Sequence, residues 1–227
     1  MELSSGKPWG ESFTELLSKM SADLGGQIKW PDEGLVDEIF SYPTLTCKVS
    51  EREITLEIKR NISSSSYGWR GPGALHAIRG PIRVAKNKDN IKPKDSIEHL
   101  RVCAYVPDFH HLSRKYNIQV KHRPHYGRLD RLVRLIQLSP QTGNQDFDRR
   151  YSVDLVSSKD RELLSHREIR ELIINAEPFS LLEISSSWIR WSQLLTDRKQ
   201  LEFGTVKDRV LKVLELVNAI CGLINTK

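Results

Sequence analysis

The sequence predicts an α+β protein with a mixed or mainly antiparallel sheet and helices packed on one face. Two observations lead to this prediction. Short segments in which apolar and polar residues alternate recur along the chain, as in strands of a sheet with one covered side. Helical segments with apolar residues three and four positions apart are interspersed among them, and their apolar stripes need that covered side for burial.

The N-terminal quarter predicts a helix, a short strand and a hairpin. Ser12 and Glu15 have the spacing of a capping box that opens the helix, and Gly25 and Gly26 end it in a left-handed conformation. A strand over residues 27–30 follows. The alternating apolar positions of the hairpin are Leu45, Cys47, Val49, Ile54, Leu56 and Ile58.

The rest of the chain alternates in the same way. Further strands are predicted at residues 100–106, 118–120, 151–155, 179–184 and 188–194. A helix is predicted over 128–138 and a loop over 141–145. Capping-box pairs, Ser157 with Asp160 and Ser165 with Glu168, predict two short consecutive helices.

The last helix is predicted to be the longest, with a capping pair at Thr205 and Asp208. Its apolar stripe consists of Val206, Val210, Val213, Leu214, Val217 and Ile220. We predict one domain over residues 1–227, because each half alone has few buried strands; two small units, 1–125 and 128–227, are the alternative.

Composition limits the class of protein. Of the 227 residues, 38% are hydrophobic and 28% charged, which is typical of a globular chain. No apolar run reaches the roughly 18 residues of a membrane helix, and the first residues lack the pattern of a secretory signal. We therefore expect a cytoplasmic protein without membrane contact. Cys47, Cys103 and Cys221 are scattered and predict buried thiols, not a disulfide framework or a metal site.

The net charge of +6 hides a strong asymmetry along the chain. Residues 1–58 carry a net −6, residues 59–134 carry +12, and residues 135–227 are neutral. The basic third begins with a predicted long irregular loop at 60–98, which is rich in Ser, Gly and Pro and holds eight Lys and Arg. A predicted folded basic segment, 114–134, follows it.

Two interpretations of this basic third compete: charges that solvate a loop and a helix face, or a surface for an anionic partner. Aromatic residues such as Tyr67 and Tyr116 interleave with the basic ones, which favours unpaired bases over duplex. The leading hypothesis is a non-catalytic intracellular module that binds nucleic acid, or another polyanion, through residues 60–134. The predicted contact residues are Arg114, Lys115, Lys121, Arg123, Arg128, Arg131, Arg134, Trp69 and Tyr126.

Two alternatives stay open. Glu57 and Lys59 share a strand face, and with the upstream Asp32 they resemble the restriction-endonuclease-like nucleases. That resemblance implies carboxylates that hold Mg²⁺ and a lysine that orients the attacking water. The second alternative is a protein-interaction subunit, in which the acidic N-terminal part and the basic middle serve partner pairing or self-association.

Other constellations predict no cofactor, metal or nucleophile. Pro124 lies between His122 and His125, which argues against a helical metal-ligand pair, so these histidines are predicted to be basic surface residues. His99 and Cys103 share a strand face, but a core or surface placement is expected for them rather than a catalytic pair.

The last third carries a further resemblance. Its features are residues 147–153, residues 163–170, the aromatic hairpin around Trp188 and the final helix. Together they resemble a type of uncharacterised bacterial α+β domain, which implies a fold and no reaction. We expect Phe147 and Tyr151 to pack under the helix at 166–175.

Overall fold

A computed structural model describes most of the chain. The described residues are 9–31, 42–62, 96–106, 116–122, 142–155, 157–185 and 187–225. Within them the chain forms one sheet of eight strands, five α-helices and a short 3₁₀ helix. Every described strand pair is antiparallel, and the helices bury their apolar residues against one face of the sheet. The predicted α+β class is confirmed.

The strands give the sheet an order that differs from their order in the chain. They are β1 (Gln27–Lys29), β2 (Thr44–Val49), β3 (Arg52–Ile62), β4 (Ser96–Tyr105), β5 (Asn117–His122), β6 (Tyr151–Leu155), β7 (Leu181–Ser185) and β8 (Trp188–Leu194). Across the sheet they lie in the order β1-β2-β3-β4-β8-β7-β5-β6. Strand β8 therefore joins the first four strands to the last three. The domain boundaries stay a prediction.

Strands β3 and β4 are longer than their apolar alternation predicted. Their antiparallel pairing continues to Asn61 opposite Ile97 and Ile62 opposite Ser96. The ends of the predicted loop at 60–98 therefore belong to strands, because the backbone ladder extends beyond the apolar side chains that revealed it. Residues 63–95 lie outside the described residues, and so does the helix predicted over 128–138.

The five α-helices are α1 (Gly10–Leu24), α2 (Gln145–Arg150), α3 (Ser158–Ser165), α4 (Arg167–Asn175) and α5 (Phe203–Asn225), and the 3₁₀ helix spans Arg198–Leu201. The capping box at the start of α3 is confirmed: Asp160 N donates to Ser157 Oγ at 3.2 Å, and Ser157 N donates to Asp160 Oδ2 at 2.7 Å. Helix α2 was not predicted, because six residues are too few to establish a helical period.

The other three predicted caps are wrong. Helix α1 begins at Gly10, so Ser12 lies inside its first turn. The residue that caps α4 is His166, one position after Ser165, and it makes no side-chain cap bond. Helix α5 begins at Phe203, two residues before Thr205. Hydroxyl-bearing and acidic residues are favourable at several positions near the start of a helix, so their spacing alone does not determine the first residue of the helix.

The turn after α1 requires glycine, as the sequence suggested. Gly25 and Gly26 have φ angles of 72° and 114°, although the ψ of −176° at Gly25 lies outside the predicted left-handed helical region. A Cβ atom on Gly26 would lie 2.4 Å from the carbonyl oxygen of Thr46 on β2. The close approach of the two backbones therefore excludes any larger residue at position 26.

The core lies between the helices and one face of the sheet. The predicted apolar stripe of α5 is buried at all six of its positions. At the centre of the sheet Trp191 is fully buried, and its indole Nε1 donates to the carbonyl oxygen of Ala176 at 2.9 Å. None of the helices within the described residues is long and apolar enough to cross a membrane.

Candidate functional site

The sheet face opposite the helices carries the candidate site. Side chains alternate along each strand, so the residues between the buried ones all project to this second face. We call it the polar face. Its central residues are Thr55, Glu57 and Lys59 on β3, His99, Arg101, Cys103 and Tyr105 on β4, Trp188, Arg190 and Ser192 on β8, Glu183 on β7, and Gln119 and Lys121 on β5.

Two aromatic residues lie opposite each other on neighbouring strands at one end of this face. Tyr105 on β4 is directly opposite Trp188 on β8, and 41% of Tyr105 is exposed. The guanidinium carbon of Arg190 lies 4.0 Å from the centroid of the Trp188 ring. An Arg190 nitrogen also donates to Glu183 Oε2 at 3.0 Å. The Trp188 ring and the Arg190 guanidinium are therefore held in a fixed arrangement beside Tyr105.

A groove opens beside Tyr105, at the β1–β3 side of the aromatic pair. Its volume is about 550 Å³, and polar side chains of Gln27, Thr46, Lys48 and Glu53 contribute to its lining. Ligand pockets for small molecules span roughly 300–1,000 Å³. The aromatic pair thus adjoins a depression of the size that accommodates one or two bases or a small ligand.

Farther along β3 and β4 the polar face carries a small charge network. Glu57 lies 3.3 Å from Lys59 Nζ and 3.9 Å from a guanidinium nitrogen of Arg101. The Nε of Arg101 is buried and has no hydrogen-bond partner among the described residues. An unsatisfied buried donor costs about 1–3 kcal/mol. Arg101 therefore has hydrogen-bonding capacity that the described contacts do not use.

A serine, a histidine and a cysteine lie near this network without forming a nucleophilic site. Ser180 Oγ donates to the carbonyl oxygen of Ser192 at 3.0 Å and lies 3.3 Å from His99 Nδ1. The single hydroxyl proton is thereby used, so the imidazole is the donor to Ser180. Burial and the nearby Arg101 lower the pKa of His99. Burial raises the pKa of Cys103, which makes its thiol a poor nucleophile.

Of the predicted nucleic-acid contacts, Lys121 is the one whose placement the structure describes. Its Nζ lies 3.2 Å from Asp154 Oδ2 on the neighbouring strand β6, and 46% of its side chain is exposed. Tyr116 was interpreted as a ring available for stacking, and that interpretation is wrong, because Tyr116 is 7% exposed and belongs to the core. Outside the described residues lie Arg114, Lys115, Arg123, Arg128, Arg131, Arg134, Trp69, Tyr126 and Tyr67.

The nuclease alternative stays a prediction. Glu57 and Lys59 do share a strand face and contact each other, whereas Asp32 lies outside the described residues. Among the described residues, the charged groups within 4 Å of the Glu57 carboxylate are the cations of Lys59 and Arg101. In the part of the chain that the structure describes, no three His, Cys, Asp or Glu side chains are grouped so that they could hold a metal ion.

A second polar cluster surrounds Glu177, on the helix side of the sheet. The Tyr151 hydroxyl donates to Glu177 Oε1, and His122 Nε2 and Arg150 Nε lie 3.5 Å and 3.8 Å from the same oxygen. An Arg209 nitrogen donates to the Glu177 carbonyl oxygen at 2.6 Å. Burial, reinforced by Glu177, raises the pKa of Tyr151 well above its usual range. The phenol therefore stays protonated at neutral pH and acts as a structural donor.

This cluster was not predicted, because its members come from four distant segments and leave no local signal. Phe147 and Tyr151 are both buried, and their ring centroids lie 4.7 Å apart; their packing under the helix at 166–175 stays a prediction. The carboxylate of Asp148 accepts hydrogen bonds from the backbone and hydroxyl of Thr142, as a local structural residue does.

Comparison with protein-family models, with curated proteins and with solved structures finds no match for this chain. The class of protein is therefore defined by its own architecture, an antiparallel sheet with helices on one face and a polar second face. The resemblance of the last third to bacterial α+β domains stays a prediction.

Proposed function

We propose that the protein is a non-catalytic module that binds single-stranded nucleic acid across the polar face. One observation carries the proposal: Tyr105 and Trp188 are adjacent on neighbouring strands, and Arg190 is stacked on Trp188. Base–aromatic stacking contributes about 1–3 kcal/mol per base, and arginine adds a cation–π contact. Unpaired bases can reach such rings, whereas the bases of a duplex are stacked on each other.

The ligand class follows from chemistry on both sides of the aromatic pair. The groove beside Tyr105 offers amide, hydroxyl and charged groups from Gln27, Thr46 and Lys48, which suit the hydrogen-bonding edge of a base. On the other side, Arg190 and Arg101 are guanidinium groups that suit phosphate oxygens. A strand of nucleic acid that crosses β4 and β8 would meet both kinds of group.

Charge on the polar face itself is nearly balanced, because Glu57, Glu183 and Asp154 accompany its cations. Stacking is therefore proposed as the main source of affinity on the sheet. The connections add positive charge. Residues 63–95, which link β3 to β4, contain seven Lys and Arg against two Asp, and Arg114 and Lys115 lie three and two residues before the start of β5. Phosphate contacts of this kind strengthen binding without selecting sequence.

The proposal is tested by fluorescence anisotropy with labelled single-stranded RNA and DNA of about 12 nucleotides, at about 50 mM salt, against the matching duplex. We expect the single strands to bind more tightly than the duplex. Trp188→Ala and Tyr105→Ala should each weaken binding about tenfold, the factor that corresponds to 1.4 kcal/mol. Tyr105→Phe keeps the ring and should bind like the wild type.

Leu211→Ala is the matched control, because Leu211 is 44% exposed on α5 and lies on the helix side. Its affinity should equal that of the wild type. If roughly four phosphates are neutralised, the logarithm of the single-strand affinity should fall with the logarithm of salt at a slope of about −3. Undetectable binding at low salt, or equal affinity of Trp188→Ala and wild type, would contradict the proposal.

The protein-interaction alternative and the cytoplasmic location stay predictions. Size-exclusion chromatography with light scattering tests the first of these. A single monomeric species at every protein concentration would argue against self-association.

A further inference from the structure

A cleft between α2 and α4, on the helix side of the sheet, is separate from the polar face. Its volume is about 590 Å³, which is within the range of small-molecule sites. Three arginines line it, Arg150 from α2 and Arg167 and Arg170 from α4. The side chains of Phe147 and Ile174 add apolar surface, so the cleft combines positive charge with an apolar wall.

Two of these arginines are held in position by contacts on one side. Arg150 has its Nε 3.8 Å from Glu177, which is itself held by the buried Tyr151. A terminal nitrogen of Arg170 donates to the carbonyl oxygens of Leu164 and Ser165 at 2.8 Å and 2.6 Å, at the end of α3. Groups that are ordered before a ligand arrives lose less entropy when they bind it.

The acidic residues of the cleft already have cationic partners. Glu171 lies 2.7 Å from Arg167, and Asp146 lies 3.6 Å from Arg149, which is next to Arg150 in the chain. Among the residues that line the cleft, three arginines accompany two carboxylates, so the lining carries one net positive charge. Because Arg167 is paired with Glu171, a ligand would meet this charge at Arg170 and at Arg150, which shares the Glu177 carboxylate with Tyr151.

We infer that this cleft binds a small organic oxyanion. A phosphate or carboxylate head group lies against the guanidinium groups of Arg150 and Arg170, and a compact apolar body lies beside Phe147 and Ile174. Guanidinium groups pair with both head groups through charge-assisted hydrogen bonds, often two at a time. The apolar wall distinguishes this site from a surface that attracts free inorganic anions.

Isothermal titration calorimetry of the full chain with phenyl phosphate, benzoate and inorganic phosphate tests the inference. We expect phenyl phosphate or benzoate to bind, and the tighter of the two identifies the head group. Inorganic phosphate should bind at least about tenfold more weakly than phenyl phosphate, because it cannot use the apolar wall.

Substitutions of Arg150 measure the contribution of one of the two anchored arginines to binding. Arg150→Gln should weaken the organic anion about tenfold, and Arg150→Lys should restore only part of the affinity, because lysine lacks the guanidinium fork. Arg198→Gln removes the same charge at an exposed position on the 3₁₀ helix, outside the cleft lining, and should leave the affinity within about twofold. Circular dichroism melting confirms that each variant is folded.

Three outcomes would overturn the inference: failure of all three probes to bind to the folded protein, equal binding of inorganic and phenyl phosphate, or equal losses in Arg150→Gln and Arg198→Gln. Arg150→Gln should keep its affinity for single-stranded nucleic acid. The two sites are therefore tested independently.

Discussion

Trp188 and Trp191 lie three residues apart on β8 and face opposite sides of the sheet. Trp191 is fully buried, and its indole nitrogen donates to a backbone carbonyl in the core. Trp188 lies on the polar face, where its ring contacts the Arg190 guanidinium. Both residues are tryptophan, so the difference between their environments comes from the alternation of side chains along a strand. One face of this sheet forms the core, and the other is the face on which we propose binding.

The largest effect is expected on the core side, at Leu214 on α5. Leu214→Asp would place a carboxylate among buried apolar residues, which costs about 4 kcal/mol or more and should unfold the protein. Thermal melting followed by circular dichroism measures it. Leu211→Asp, at an exposed position of the same helix, should melt close to the wild type. An unchanged melting temperature in Leu214→Asp would place α5 outside the core.

The two tryptophans provide the direct comparison between the faces. Trp191→Ala should lower the free energy of unfolding by about 3–5 kcal/mol, because it leaves a large cavity at the centre of the sheet. Trp188→Ala should lower it by less than about 1 kcal/mol. Urea unfolding measures both values. Comparable losses would mean that the polar face contributes to stability as much as the core does.

Asp160 and Asp154 extend the comparison to acidic residues. Asp160 is fully buried and accepts hydrogen bonds from the backbone nitrogens of Ser157 and Asn117, which tie α3 to β5. Asp160→Ala should cost about 2 kcal/mol, because it leaves buried donors unsatisfied. Asp154→Ala, on the polar face, should cost less than about 1 kcal/mol. Urea unfolding at neutral pH would contradict this prediction if the order of the two losses were reversed.

The smallest effect concerns a single hydroxyl. Tyr151→Phe removes the hydrogen bond to Glu177 and should lower the free energy of unfolding at pH 7 by about 1 kcal/mol. The native pKa of Tyr151 is raised, so above about pH 10 the unfolded chain loses this proton before the native protein does. Wild-type stability should therefore fall as pH rises past that value.

The Phe variant should lack that part of the pH dependence. Unfolding by urea at a series of pH values, in wild type and variant, gives the difference directly. A constant difference between the two proteins from neutral to alkaline pH would refute the raised pKa of Tyr151. Tyr105→Phe is the control, because the Tyr105 ring lies on the polar face.

The core face could be predicted from the sequence because its apolar residues recur at regular intervals along each strand and helix. The alternation of apolar residues such as Leu100, Val102 and Ala104 predicts β4 without any knowledge of the neighbouring strands. The apolar stripe of the last helix predicts α5 in the same way. Strand order could not be predicted, because the pairing of β4 with β8 joins residues about 90 positions apart. The predicted start positions of α1, α4 and α5 are wrong because the residues of a first turn also suit a cap position.

The candidate site could be predicted much less well. Tyr105 and Trp188 become neighbours only through the register of β4 and β8, so nothing in either segment identifies the other. In the same way, the contact between Arg150 and Glu177 joins two segments that are separate in the sequence, so neither segment predicts it. Charged residues cluster in the basic third of the sequence and therefore predict a site there, whereas a site formed across strands is defined by the strand register.

The position of β8 has a consequence for how the chain is made. Strands β1 to β4 are synthesised first. Strand β8, which pairs with β4, leaves the ribosome only after about 80 further residues. Until then the edge of β4 exposes unpaired backbone groups beside an apolar surface, which is the feature that lets one nascent chain pair with another. Conditions that slow elongation should therefore favour aggregation of this protein.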